Sequence, residues 1–161
     1  LTLYPPKPAP SQWEMARDSE VYPQFGAHAG ASGSWVEEYQ NRDWDQTVAS
    51  LQPQVDAFLA QHAQDNEPVS YQEARMLLGL GSALLKQNPQ NPFAAKPYLL
   101  AAQSQQTESS VAAEATYFLG LMYLLAGDLP TAEQTWQSLL VEPSPVQDRY
   151  VQEIKRLLSA S

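Results

Sequence analysis

The sequence predicts an all-α protein built from consecutive helix–turn–helix pairs. Three observations carry that prediction. Apolar residues recur at three- and four-residue steps from about Ser34 onward, and no stretch shows the two-residue alternation of a strand. The apolar stripes are separated by residues that stop and start helices: Asn41-Arg42-Asp43, Asp65–Pro68, Asn88–Pro92 and Ala126-Gly127-Asp128. Finally, three windows share one apolar order: LGLMYLLAGDLPTAEQTWQSLLVEP, LGLGSALLKQNPQNPFAAKPYLLAA and, more weakly, WVEEYQNRDWDQTVASLQPQV.

Residues 1–33 differ in kind from the rest. They hold five of the 13 prolines (Pro5, Pro6, Pro8, Pro10 and Pro23), a density that gives an extended, semi-rigid chain. Ser11 with Glu14 has the spacing to cap one short helix through Trp13 and Ala16. Phe25–Gly33 is small and rich in Gly and Ala. Two readings follow: a tether to something upstream, or an arm that docks Trp13, Tyr22 and Phe25 onto the domain or a neighbouring copy. Those three and Tyr4 are more large aromatics than a plain spacer needs.

From Ser34 to Ser161 the chain reads as one helical domain. Trp35, Val36 and Tyr39 make a short first helix, and Asp43 caps the next. Trp44, Val48, Leu51, Val55, Phe58 and Leu59 share one face of a helix running toward His62, where Pro53 is expected to kink or split it. Ser70 and Glu73 have capping-box spacing for a helix to Lys86. Gly79 and Gly81 inside it mark close approach of neighbouring helices. Phe93 to Gln103 is the next helix, followed by the polar run SQQTESS. Residues 111–126 form the most apolar helix of the chain. Gly127 suits the left-handed position after its end, and Asp128 caps the helix carrying Ala132, Trp136, Leu139 and Leu140. After Pro143, Ser144 is expected to cap a last helix with Pro145 at its first position and Gln147 at its third. Its apolar stripe is Val146, Tyr150, Val151, Ile154, Leu157 and Leu158.

At Leu119-Gly120, Tyr123, Gly127, Ala132, Trp136, Leu139 and Pro143 the chain resembles a tetratricopeptide repeat (TPR). Leu78-Gly79, Ala95, Leu99 and Ala102 carry a second copy, with Ser82 at the usual tyrosine-like position and the NPQNP insertion as a departure. In the first copy Tyr39 and Asp43 fit, while Val48 stands for the small alanine and Val36 for the glycine. The resemblance covers about residues 34–143. It implies a TPR-like right-handed α-solenoid, with residues 144–161 as the solvating C-terminal capping helix such arrays need. It also implies that the first helix of each pair lines a peptide-binding concave surface. Carried onto this sequence, those positions are Met76, Leu80 and Leu84, then Tyr117, Leu121 and Leu124. All six are apolar or aromatic. Open together they would expose a patch of several hundred Å², roughly the most a monomer leaves bare. Either the chain's own last helix or arm covers them, or a partner segment does.

Composition narrows the chemistry. A net charge of −9, from nine Lys+Arg against 18 Asp+Glu, argues against nucleic acid and anionic membrane surfaces. Without cysteine there are no disulfides or thiolate sites. His28 and His62 have no third ligand spaced near either, so no metal or other cofactor is expected. GLGS at Gly79–Ser82 falls inside a helix, the wrong context for a phosphate loop. Glu37-Glu38 and Asp43/Asp45 read as a solvated face, and Ser34, Ser82 and Ser104 lack a base.

The expectation is therefore a non-enzymatic protein–protein interaction module, a scaffold or adaptor. It would bind an apolar or aromatic partner segment in a helical groove. The alternative is a self-associating structural domain, a homodimer through the groove or the N-terminal arm. The chain starts at Leu1, not Met, and no apolar run reaches spanning length. An extracytoplasmic setting, periplasmic and held by an upstream membrane anchor within an envelope assembly, is favoured over a cytoplasmic one.

Overall fold

The computed structural model describes residues 8–25, 34–104, 109–141 and 148–160. Among these residues the regular structure is entirely helical: α1 (Pro10–Asp18), α2 (Ser34–Gln40), α3 (Trp44–Asp65), α4 (Tyr71–Gln87), α5 (Lys96–Gln103), α6 (Ser109–Leu125), α7 (Leu129–Val141) and α8 (Asp148–Ser159). A 3-10 turn, Pro92–Ala95, leads into α5. From α2 onward each helix packs on the next in sequence. α4 also touches α6, and α6 touches α8, so alternate helices form one layer. α1 breaks the order by packing on α6 and α8. No helix of the described residues is long and apolar enough to cross a membrane.

Local chemistry sets the boundaries. The Asp43 carboxylate accepts from Gln46 N, and Ser70 and Glu73 form the reciprocal capping box, at 3.1 and 2.9 Å. Gly127 adopts φ +88°, and Thr131 N donates to Asp128 Oδ1 at 3.1 Å. Asn66, at φ 57°, ends α3 in the same left-handed way.

Close helix contacts are made where a glycine receives a bulky neighbour. A Cβ on Gly120 would lie 2.0 Å from the Trp136 indole nitrogen, and one on Gly81 would lie 2.5 Å from Leu99. Gly79 meets Trp35 in the same manner, at 2.7 Å. These side chains therefore lie directly on helix backbone, which is how α4 and α6 are gripped by their neighbours. α6 is buried nearly all round, from Val111 to Leu125. α7 covers one side of it, α4 and α5 a second, and α1 and α8 a third.

Three expectations are corrected. Pro53 does not split its helix: α3 runs unbroken from Trp44 to Asp65. Pro53 and Ala49 are both exposed, on the side where water can reach a carbonyl left without its donor, while Leu51 and Val55 hold the buried side. The short arm helix is capped at Ala9 rather than Ser11. Pro10 takes the first helical position, and Gln12 Oε1 accepts from Ala9 N at 2.8 Å. The helix expected from Phe93 begins as the 3-10 turn and becomes α-helical only at Lys96. The proposed cap at Ser144, Pro145 and Gln147 lies outside the described residues, as do Tyr4 and His28.

Candidate functional site

The six groove positions lie on α4 and α6, which touch each other. Leu80, Tyr117, Leu121 and Leu124 are buried, and Met76 and Leu84 are partly so. They do not line an open groove, because α1 and α8 of the same chain lie over α6. The arm (residues 8–25) occupies this side of the molecule, and its contacts are specific.

The first half of the arm is α1. Trp13 Nε1 donates to Leu125 O at 2.9 Å, and Gln12 Nε2 donates to Leu157 O at 3.2 Å. Both acceptors belong to the last turns of their helices, where carbonyls have no partner within the helix. The arm thus caps the C-terminal ends of α6 and α8. In return, Lys86 Nζ donates to Arg17 O (2.7 Å) and Ser19 O (2.5 Å) at the end of α1.

The second half, Ser19–Phe25, is extended. Ser19 has φ −56° and ψ 136°, the polyproline II region. Ser19, Tyr22 and Phe25 fall at three-residue steps, the period of that conformation. All three are buried, while Glu20 and Gln24 are exposed. The main chain follows the same period. The Ser19 carbonyl accepts from Lys86 on α4, the Tyr22 carbonyl from Arg149 on α8, and the Phe25 carbonyl from Gln40 on α2, the last at 3.0 Å.

Each inward side chain has its own receptor. Ser19 Oγ donates to Glu153 Oε2 and lies 3.5 Å from Tyr117 OH. The Tyr22 ring packs on Trp44 and Tyr39, with centroids 5.4 and 6.1 Å away, beneath the Arg42 guanidinium at 4.0 Å. Phe25 meets Trp35 at 4.9 Å and Tyr39 at 5.1 Å edge to face, with Arg75 5.4 Å from its ring. An open depression of about 630 Å³ flanks the extended segment, lined by residues including Glu20, Gln24, Arg42 and Arg149.

The electrostatics follow from burial. Burial pushes the Lys86 ammonium down to about 8 despite Glu20, Asp18 and Glu153 nearby. Burial also raises Glu153, but hydrogen bonds from Arg156 and Ser19 outweigh it and leave the carboxyl below its ordinary value. Ser19 therefore faces a carboxylate. Tyr22 is raised to about 12, by burial first and by Glu20 second. Behind α8, Tyr150 donates to Glu114, whose carboxyl is raised by burial.

His62 bridges α3 and α4: its Nε2 is 2.8 Å from Glu73 Oε1 and its Nδ1 3.7 Å from Asp65. Ser82 is a buried link, 2.7 Å from Tyr39 OH and donating to Leu78 O. No group of three or more acidic or histidine residues among those described is placed to hold a metal ion. Trp13, Tyr22, Phe25 and Tyr117 stand out in the sequence as candidates. Gln12, Ser19, Gln40, Lys86, Arg149 and Glu153 do not. The legible signal was the three-residue spacing of Ser19, Tyr22 and Phe25 in a proline-containing stretch.

No family model matches this chain, and neither does any curated protein or solved structure.

Proposed function

We propose that the chain is a non-enzymatic protein–protein interaction module. In this reading it is a short TPR-like right-handed solenoid, capped by α8, that binds an extended partner segment across its layer of alternate helices. Met76, Leu80, Leu84, Tyr117, Leu121 and Leu124 form the floor, and the chain's own arm occupies the site. One observation carries the proposal: three carbonyls of the arm, at Ser19, Tyr22 and Phe25, each accept from a side chain on a different helix. Side chains that read main-chain groups suit a groove for extended chain, since they recognise conformation before sequence. The sequential packing and the glycine contacts at Gly79 and Gly120 support the repeat reading.

The test uses the full-length chain carrying Trp13→Ala, Tyr22→Ala and Phe25→Ala, which unseats the arm. A labelled peptide of residues 8–25 should bind it saturably in fluorescence anisotropy and raise its melting temperature. A variant with an intact helical circular dichroism spectrum that ignores the peptide would refute the groove.

A further inference from the structure

We propose that the partner of this groove is an extended segment with a small hydroxyl residue, an aromatic and a second aromatic at three-residue intervals, as in Ser-x-x-Tyr-Pro-x-Phe. It competes directly with the chain's own residues 19–25. The inference rests on the groove reading and adds the chemistry of what enters it.

The three receptors differ in kind. The first is a polar notch between Glu153 and Tyr117 that accepts a hydroxyl donor. It has room for a short side chain, since Ser19 is buried there to 1% exposure. The second is a ring site walled by Tyr39 and Trp44 and roofed by Arg42. Arg42 favours the electron-rich face of an aromatic and disfavours a cationic side chain. The third is a ring site formed by Trp35 and Tyr39. Tyr39 belongs to both, so the distance between the two rings is built into the body.

Lys86, Arg149 and Gln40 repeat the three-residue interval on the main chain, so the body reads the path of the backbone as well as its side chains. Pro23, between the two aromatics in sequence, is buried, and its fixed φ suits a non-helical backbone that needs no donor there. The exposed Gln24 marks a position where the partner's residue type is unconstrained, whereas Glu20, 3.8 Å from Arg42, marks one that suits an acid. The Glu153 carboxylate makes the first site hostile to a phosphorylated hydroxyl, by like-charge repulsion at contact distance.

The test again uses the full-length chain, with Tyr22→Ala and Phe25→Ala, and labelled peptides based on residues 16–25. The native peptide should bind at least roughly ten-fold more tightly than one with a glycine inserted between Tyr and Phe, because one ring must then leave its site. Phosphorylating the serine should weaken binding at least as much. Equal affinity for native and inserted peptides would overturn the three-residue pattern while leaving the groove standing. Failure of every peptide to bind a folded variant would overturn both. If that variant does not fold, the wild-type chain supplies the measurement. Millimolar native peptide should speed hydrogen exchange of the amides of residues 19–22, 24 and 25, and the inserted peptide should not. Equal exchange with both peptides would overturn the pattern.

Discussion

Gly120 is where a single hydrogen atom decides a helix contact. A methyl group there would meet the Trp136 indole 2.0 Å away and displace a ring that also donates to Tyr117 O at 2.9 Å. Gly120→Ala gains helix propensity of about 1 kcal/mol, but overpacking of a buried ring costs about 1–3 kcal/mol, before the lost hydrogen bond is added. Net destabilisation is expected in urea unfolding, and a stabilised variant would contradict the contact. Lys86 makes a prediction with a sign. Its folded pKa, about 8, lies below the ordinary lysine value of 10.5. Between those two values the unfolded chain holds a proton that the folded chain has released, so this group's contribution to stability rises with pH across that window. Wild type should gain on Lys86→Met between pH 7 and pH 10 in parallel urea titrations. A difference that stays constant would mean that the ammonium is not desolvated. Both residues show what sequence can carry. Gly120 and Trp136 were legible as a small and a large position of the repeat resemblance. Lys86 was not, since its role comes from carbonyls 67 and 69 positions away.

At the level of elements, α3 shows packing overriding local preference. Pro53 sits mid-helix on an exposed turn, and the helix persists because Leu51 and Val55 are fixed in the core on its other side. Restoring the missing donor should therefore help. Pro53→Ala is expected to stabilise the protein by about 1–3 kcal/mol, less whatever proline contributes by stiffening the unfolded chain. An unchanged or lowered urea midpoint would show that Pro53 is favourable where it stands. The helices themselves were readable because an amphipathic stripe repeats within one segment. What covers α6 was not, for Tyr117, Leu121 and Leu124 state only that something apolar must lie over them. The cover came from the arm and α8, tied by bonds from Ser19 to Glu153 and Gln12 to Leu157 that span more than 130 residues. The cap of the arm helix differs from its expected place for a local reason. Ser11 and Glu14 have the right spacing, but Pro10 fits the first helical position better and moves the cap back to Ala9.

On the scale of the whole molecule, α2 through α8 pack in sequence order, each helix on the next, with contacts from α4 to α6 and from α6 to α8 besides. The arm adds contacts between the two ends of the described chain. Its aromatics pack on α2 and α3, Lys86 on α4 grips its backbone, and Gln12 and Trp13 close the ends of α8 and α6. An acidic chain of net charge −9 thus spends Lys86 and Arg149 on main-chain carbonyls of its own arm.

The caps that Trp13 and Gln12 place on α6 and α8 change how the molecule comes apart. A linear stack unravels from its termini, because a terminal unit has one neighbour where an inner unit has two. Here the first described helix is buttoned onto the last, and the row becomes a loop. Loosening α8 means letting go of α1, and losing α1 strips the end of α6. The C-terminal helix should therefore exchange its amide hydrogens nearly as slowly as α6, and Trp13→Ala should speed exchange in α8 well before it affects α3. Exchange in α8 that is already fast in wild type would show the clasp to be open in solution.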